Sequence, residues 1–109
     1  MKKTKLFFLI HVVFFTFFFS KVKPDPVLDL GKDIFLNKGM CSTCHALSDA
    51  ESKAMIGPNL DQIKPLKSTV LNVVKNGIGI MPAYEDQLSV EEIEAVAHYV
   101  STVSNDLND

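Results

Sequence analysis

The sequence predicts a single all-α domain, and three observations predict it. Apolar residues recur at helical spacing in three capped segments, no stretch shows a convincing period-two alternation, and 109 residues enclose one domain at most. With 47% hydrophobic and 22% charged residues the composition is that of a folded chain, which excludes global disorder. No internal repeat is visible.

The chain opens with Lys2, Lys3 and Lys5, followed by a run from Leu6 to Phe19 that holds seven of the eight Phe residues and is interrupted only by His11 and Thr16. A basic start and an apolar run is the layout of a secretory signal. As a helix the run would reach roughly 21 Å, short of the ~30 Å hydrocarbon core of a bilayer. Ser20 supplies a small residue for cleavage, whereas bulky Phe18 stands where a second small residue is wanted. Residues 1–20 are therefore a signal peptide or an N-terminal anchor, and either exports the chain. His11 reads as a tolerated interruption. Residues 21–29, with Pro24 and Pro26, are expected to be an extended linker, because proline denies the preceding residue the helical region.

A first short helix is expected over Leu30 to Asn37, capped by Asp29, with Ile34 and Phe35 toward the core and Gly39 at its end. Leu66, Val70, Val73 and Val74 then fall on one helical face between Pro65 and Gly77. Ser89 and Glu92 form a capping-box pattern that starts a final helix, with Ile93, Val96, Ala97 and Val100 on its inner face to about Val103. The domain is expected to run from 30 to 104, with 105–109 as a flexible tail. Long loops remain at about 48–63 and 77–88. A domain this small buries only about 60% of its unfolded surface, so such loops need a metal, a cofactor or disulfides to pack against.

Without residues 1–20 the chain carries eight lysines, no arginine and thirteen acidic residues, a net charge of −5. It lacks the basic patch that nucleic-acid binding needs. Lys53, Lys64, Lys67 and Lys75 make the middle locally positive, whereas Glu85, Asp86, Glu91, Glu92 and Glu94 make the start of the last helix negative. Glu91, Glu94 and His98 share its polar side, which marks His98 as an exposed histidine.

The two cysteines carry the chemistry. They lie in Cys41-Ser42-Thr43-Cys44-His45, the attachment motif for c-type haem. On one helical turn two sulfurs can reach the two vinyl groups of a porphyrin while the next residue offers an imidazole to the iron. A disulfide between these cysteines would close a tiny loop and stabilise little. A thioredoxin-type pair belongs near a β-α-β pattern, which is absent, and a structural zinc site would need a fourth ligand, with only His11 and His98 to draw on. The segment Gly77-Ile78-Gly79-Ile80-Met81-Pro82-Ala83-Tyr84 supplies a candidate sixth ligand in Met81, 36 residues after His45. Two glycines allow close backbone approach there and Pro82 stiffens the turn. Met40 and Met55 are better read as fillers of core gaps.

Taken in order, these residues resemble the small class I cytochromes c over roughly Leu30 to Val103. Gly31 and Phe35 are similar to the glycine and aromatic of that family's first helix, which pack on an aromatic of the last, here Tyr99. The resemblance implies the class I cytochrome c fold, three to four short helices and long loops around one covalently attached haem c. It also implies that Pro58, in Gly57-Pro58-Asn59-Leu60, accepts a hydrogen bond from His45 and so orients the ring. The cofactor-binding set is then Cys41, Cys44, His45, Pro58 and Met81, with His45 and Met81 on the iron. Trp and Arg are lacking, so the propionate contacts fall to Lys, Tyr84, Asn59 or backbone amides.

An iron held on both faces has no open position for substrate, which implies a one-electron carrier rather than an enzyme. Its partners would be a redox protein donor and acceptor, in the periplasm or a thylakoid lumen, with membrane contact only through residues 6–19. Met81-Pro82-Ala83-Tyr84 and the last helix are similar to soluble photosynthetic carriers. Gly57-Pro58-Asn59-Leu60 and the lysine-bearing middle also resemble cytochrome subunits that serve periplasmic sulfite dehydrogenases, so a dedicated acceptor subunit stands as the alternative. A haem sensor or enzyme would need Met81 to be displaceable.

Overall fold

The computed structural model describes residues 23–106. The expected signal or anchor, His11 and the start of the linker lie outside the described residues, as do residues 107–109. Helix α1 (Pro26–Asp33) runs into a π-helical turn (Ile34–Lys38) and a 3-10 turn (Cys41–Thr43). Two-residue strands β1 (Ala46–Leu47) and β2 (Ser52–Lys53) pair antiparallel, with Ala46 opposite Lys53 and Leu47 opposite Ser52. Helices α2 (Leu60–Ile63), α3 (Lys67–Asn76) and α4 (Val90–Asp106) follow. The fold is all-α apart from that small hairpin.

Helix α1 starts four residues before the expected Leu30. Asp25, not Asp29, is its cap, accepting hydrogen bonds from the amides of Val27 and Leu28 at 3.0 and 3.2 Å. Pro26, expected in a linker, occupies the first helical turn, where its missing N–H is no loss and its fixed φ suits the helix. The helix does not simply stop at Gly39. Its last turn widens, and the Gly39 amide donates to the Ile34 carbonyl at 2.7 Å, the five-residue span of a π-helical turn.

Helix α4 packs against α1 and α3 and continues past Val103 to Asp106, so Asn105 and Asp106 are helical rather than part of a tail. Its capping box forms as expected. The Ser89 amide donates to Glu92 Oε1 at 2.9 Å and the Glu92 amide to Ser89 Oγ at 3.1 Å. The buried face is wider than the pattern showed, adding Ala95, Tyr99 and Ser104 to Ile93, Val96, Ala97 and Val100, because α1 covers one flank. Gly31 makes that contact possible: a Cβ there would run into the Ala95 carbonyl and the Tyr99 Cβ. The Phe35 and Tyr99 rings meet edge to face, 5.9 Å apart at 62°. The Tyr99 hydroxyl donates to Asp49 Oδ2 at 2.6 Å, and burial first, with that carboxylate second, pushes its phenol far up.

Helix α3 keeps the expected face, with Val70 and Val74 buried and Gly77 ending it at φ 73°, although Leu66 caps it from an exposed position. The lysines of α3 and the acidic residues from Glu85 to Glu94 meet rather than stand apart, since Lys67 pairs with Glu94 on α4 at 2.6 Å and Lys75 with Glu85, in the loop before it, at 3.8 Å. His98 is not a free surface histidine either. It is partly buried and its Nε2 lies 3.1 Å from Asp25 Oδ2, joining α4 to the cap of α1.

Candidate functional site

Between α3, α4, the 3-10 turn and the 77–84 loop lies an apolar cavity of about 410 Å³, large enough for a cofactor. Its lining holds all five residues singled out from the sequence: Cys41, Cys44, His45, Pro58 and Met81. The structure thus brings together residues 40 positions apart in the chain. The local folding that does so begins at Met40, whose left-handed conformation (φ 50°) turns the backbone into the 3-10 turn. The Cys44 and His45 amides both donate to the Cys41 carbonyl, at 3.1 and 2.9 Å, so the motif forms the single helical turn that its spacing requires.

On one side of the cavity His45 is fixed from two directions. Its Nδ1 lies 2.8 Å from the Pro58 carbonyl oxygen. A carbonyl only accepts, so Nδ1 carries the proton in this contact, which in a neutral ring leaves the lone pair on Nε2. Gly57 packs flat on the ring, where a Cβ would sit 2.6 Å from Cε1, and its amide donates to the Cys44 carbonyl at 2.7 Å. That contact escaped the sequence reading, which gave weight to Pro58 alone. Ser52 escaped it too: its hydroxyl lies 2.7 Å from the His45 carbonyl and 2.8 Å from that of Ser42, so β2 braces the motif from behind. Asn59 caps α2 through the Asp61 amide at 3.0 Å, which leaves its side-chain N–H groups free to donate.

On the other side, Ile78 and Met81 exchange backbone hydrogen bonds of 3.1 and 2.9 Å across a tight turn with Gly79 at φ 56°. Met81 is partly buried and packs on the core. Met40 and Met55 do not fill core gaps: Met40 is 62% exposed at the cavity wall and Met55 is 89% exposed. The Tyr84 hydroxyl, a candidate for a propionate, donates its proton to the Gly39 carbonyl at 2.9 Å.

The donor set fits a covalently attached haem. No disulfide joins the two cysteines, and burial pushes an unattached Cys41 thiol up to about 11, a penalty on charge that an uncharged thioether does not meet. Apart from Thr69 the rest of the lining is apolar, as a porphyrin face requires. A zinc site would need a fourth ligand, and His98 is engaged with Asp25 elsewhere. Among the described residues no helix is long and apolar enough to cross a membrane.

Comparison with known proteins agrees with this geometry. Residues 26–100 match the family model described as cytochrome c oxidase, cbb3-type, subunit III. The chain is 37% identical to the chloroplastic cytochrome c6 of Chlamydomonas reinhardtii over 72% of its own length, spanning 56% of that protein. It is 33% identical to cytochrome c6 of Bryopsis maxima over 67% of its length and 88% of that chain. The crystal structure of the c-type cytochrome SorU from Sinorhizobium meliloti superposes with a TM-score of 0.70 at 52% identity, covering 74% of this chain and 94% of that one. A turn built for two thioethers, an apolar cavity beside it and these likenesses lead to one conclusion: the chain belongs to the class I cytochromes c, a family of electron carriers, and carries covalently bound haem c.

Proposed function

We propose that this protein is a one-electron carrier whose single haem iron is held by His45 and Met81, with Cys41 and Cys44 as the thioether sites and Pro58 as the partner that orients His45. The observation that supports the reading is the 2.8 Å contact of His45 Nδ1 with the Pro58 carbonyl oxygen, which leaves Nε2 as the nitrogen available to an iron, in one cavity with Met81. The haem supplies a centre that gains and loses one electron; the chain supplies two neutral ligands, an apolar enclosure and rigid walls. A thioether favours ferrous iron more than an imidazole does, so Met81 sets a high potential. With both axial positions taken by protein, no site remains for substrate, which makes the chain a carrier and not an enzyme.

The carrier works between a redox protein donor and acceptor in an exported compartment, the direction that residues 1–20 give it, with the haem domain starting near the first helix. The 52% identity to a bacterial c-type cytochrome, against 37% to a chloroplast one, favours a periplasmic setting over a thylakoid lumen. A dedicated acceptor subunit of a periplasmic dehydrogenase is the second reading, favoured by the same likeness. Redox titration of holoprotein tests the ligand assignment. Met81→His should keep a six-coordinate haem and lower the midpoint potential substantially, and an unchanged potential would remove Met81 from the iron.

A further inference from the structure

The 77–84 loop is tied to one wall of the cavity by its own backbone. Gly77 donates to the Val73 carbonyl at 2.8 Å and Tyr84 to the Val74 carbonyl at 2.8 Å, both on α3. Among the described residues, one hydrogen bond joins this loop to the opposite wall. It is the Tyr84 hydroxyl donating to the Gly39 carbonyl at 2.9 Å, across 45 positions of chain. Gly39 is buried, its own amide is spent on Ile34, and a Cβ on it would stand 3.1 Å from the Cys41 sulfur. The acceptor therefore closes the π-helical turn and lies directly against the haem-attachment turn. Tyr84 lines the cavity, is partly buried and packs on the core. A tyrosine phenol is protonated at neutral pH, so the hydroxyl is the donor in this bond.

We propose that Tyr84 is a latch that holds the Met81 loop shut against the haem-attachment turn, a positioning residue that keeps the methionine in place; this rests on the His45 and Met81 assignment above. The ring alone fills space. The hydroxyl sets how often the loop opens, because opening it breaks the bond to Gly39 while both ties to α3 can persist. A soluble ligand that competes with Met81 reads the open fraction directly, since its apparent affinity scales with the population of the competent state.

The test uses holoprotein and imidazole added to the ferric form. Tyr84→Phe should raise imidazole affinity roughly two- to tenfold, the range expected for loss of one neutral hydrogen bond. The control is Tyr99→Phe, which removes the other phenolic hydrogen bond, to Asp49, between α4 and the 3-10 turn at 48–50. It should lower the unfolding midpoint and leave imidazole affinity unchanged. The latch is overturned if Tyr84→Phe binds imidazole as the parent does, or if both variants gain affinity equally, which is general loosening. Failure of the underlying ligand assignment looks different: the unmodified ferric protein would then lack the far-red charge-transfer band of a methionine-ligated haem before any substitution is made.

Discussion

Gly57 shows how a single missing atom can decide the position of a histidine ring. The His45 ring lies so close that a Cβ would sit 2.9 Å from Nδ1, the atom that must donate to Pro58. Gly57→Ala should therefore push the ring off its acceptor and yield a haem with a weakened proximal bond. The check is the ratio of high-spin to low-spin absorbance in purified holoprotein, which should rise against the parent. Pro58 was legible in the sequence because its resemblance to a known loop assigned it a partner. Gly57 was not, because a glycine before a proline reads equally well as a turn. Met40 and Met55 misled for a related reason: side-chain type says that a methionine can fill a gap but not whether its backbone faces one.

At the scale of elements, caps and helix faces were the most readable features and helix limits the least. Ser89 and Glu92 specify a local geometry that needs no tertiary contact, and the capping box forms. Ser89→Ala should cost about 1 kcal/mol of stability, measured by denaturant unfolding. The start of α1 was misplaced because Pro26 signals both an interrupted chain and a first helical turn, and only the packing of Leu28 and Gly31 on the core decides between them. The π-helical turn at Ile34–Lys38 has no sequence signature, since it depends on where the following haem motif must point. Two carboxylates at helix starts also carry a pH dependence. Asp25 is held below its ordinary value chiefly by His98, and Glu92 chiefly by Lys38, whose Nζ lies 2.7 Å from Oε2. Depressed carboxylates stabilise fully above their unfolded value, near pH ~4, and lose that contribution as pH falls through the folded value. The thermal midpoint should therefore fall on acidification below about pH 4, and Glu92→Gln should flatten the decline. A decline just as steep in that variant would remove Glu92 from the effect.

Across the whole molecule, charge distributes differently from its reading along the chain. Lys67 and Lys75 are engaged with Glu94 and Glu85, so the basic middle and acidic end largely neutralise each other; exposed pairs of this kind add only ~0–1 kcal/mol to stability. Lys64 differs: it is exposed, between Ile63 and Pro65, both in the cavity wall. With an acidic redox partner, Lys64→Glu should slow association and Lys75→Glu should change it little, the difference vanishing as salt shortens the screening length from ~10 Å at 0.1 M. Stopped-flow rates at two ionic strengths check this, and equal rates for both variants would make the lysines plain solvated surface. In the proposed reading the domain as a unit holds one iron between two walls, and that reading has a direct test in the absorption spectrum of the ferric holoprotein with and without Met81. The unmodified protein should show the weak far-red charge-transfer band and, once reduced, ignore carbon monoxide, whereas Met81→Ala should lose the band and bind the gas. A band that survives Met81→Ala, or an unmodified reduced protein that binds carbon monoxide, would contradict the account.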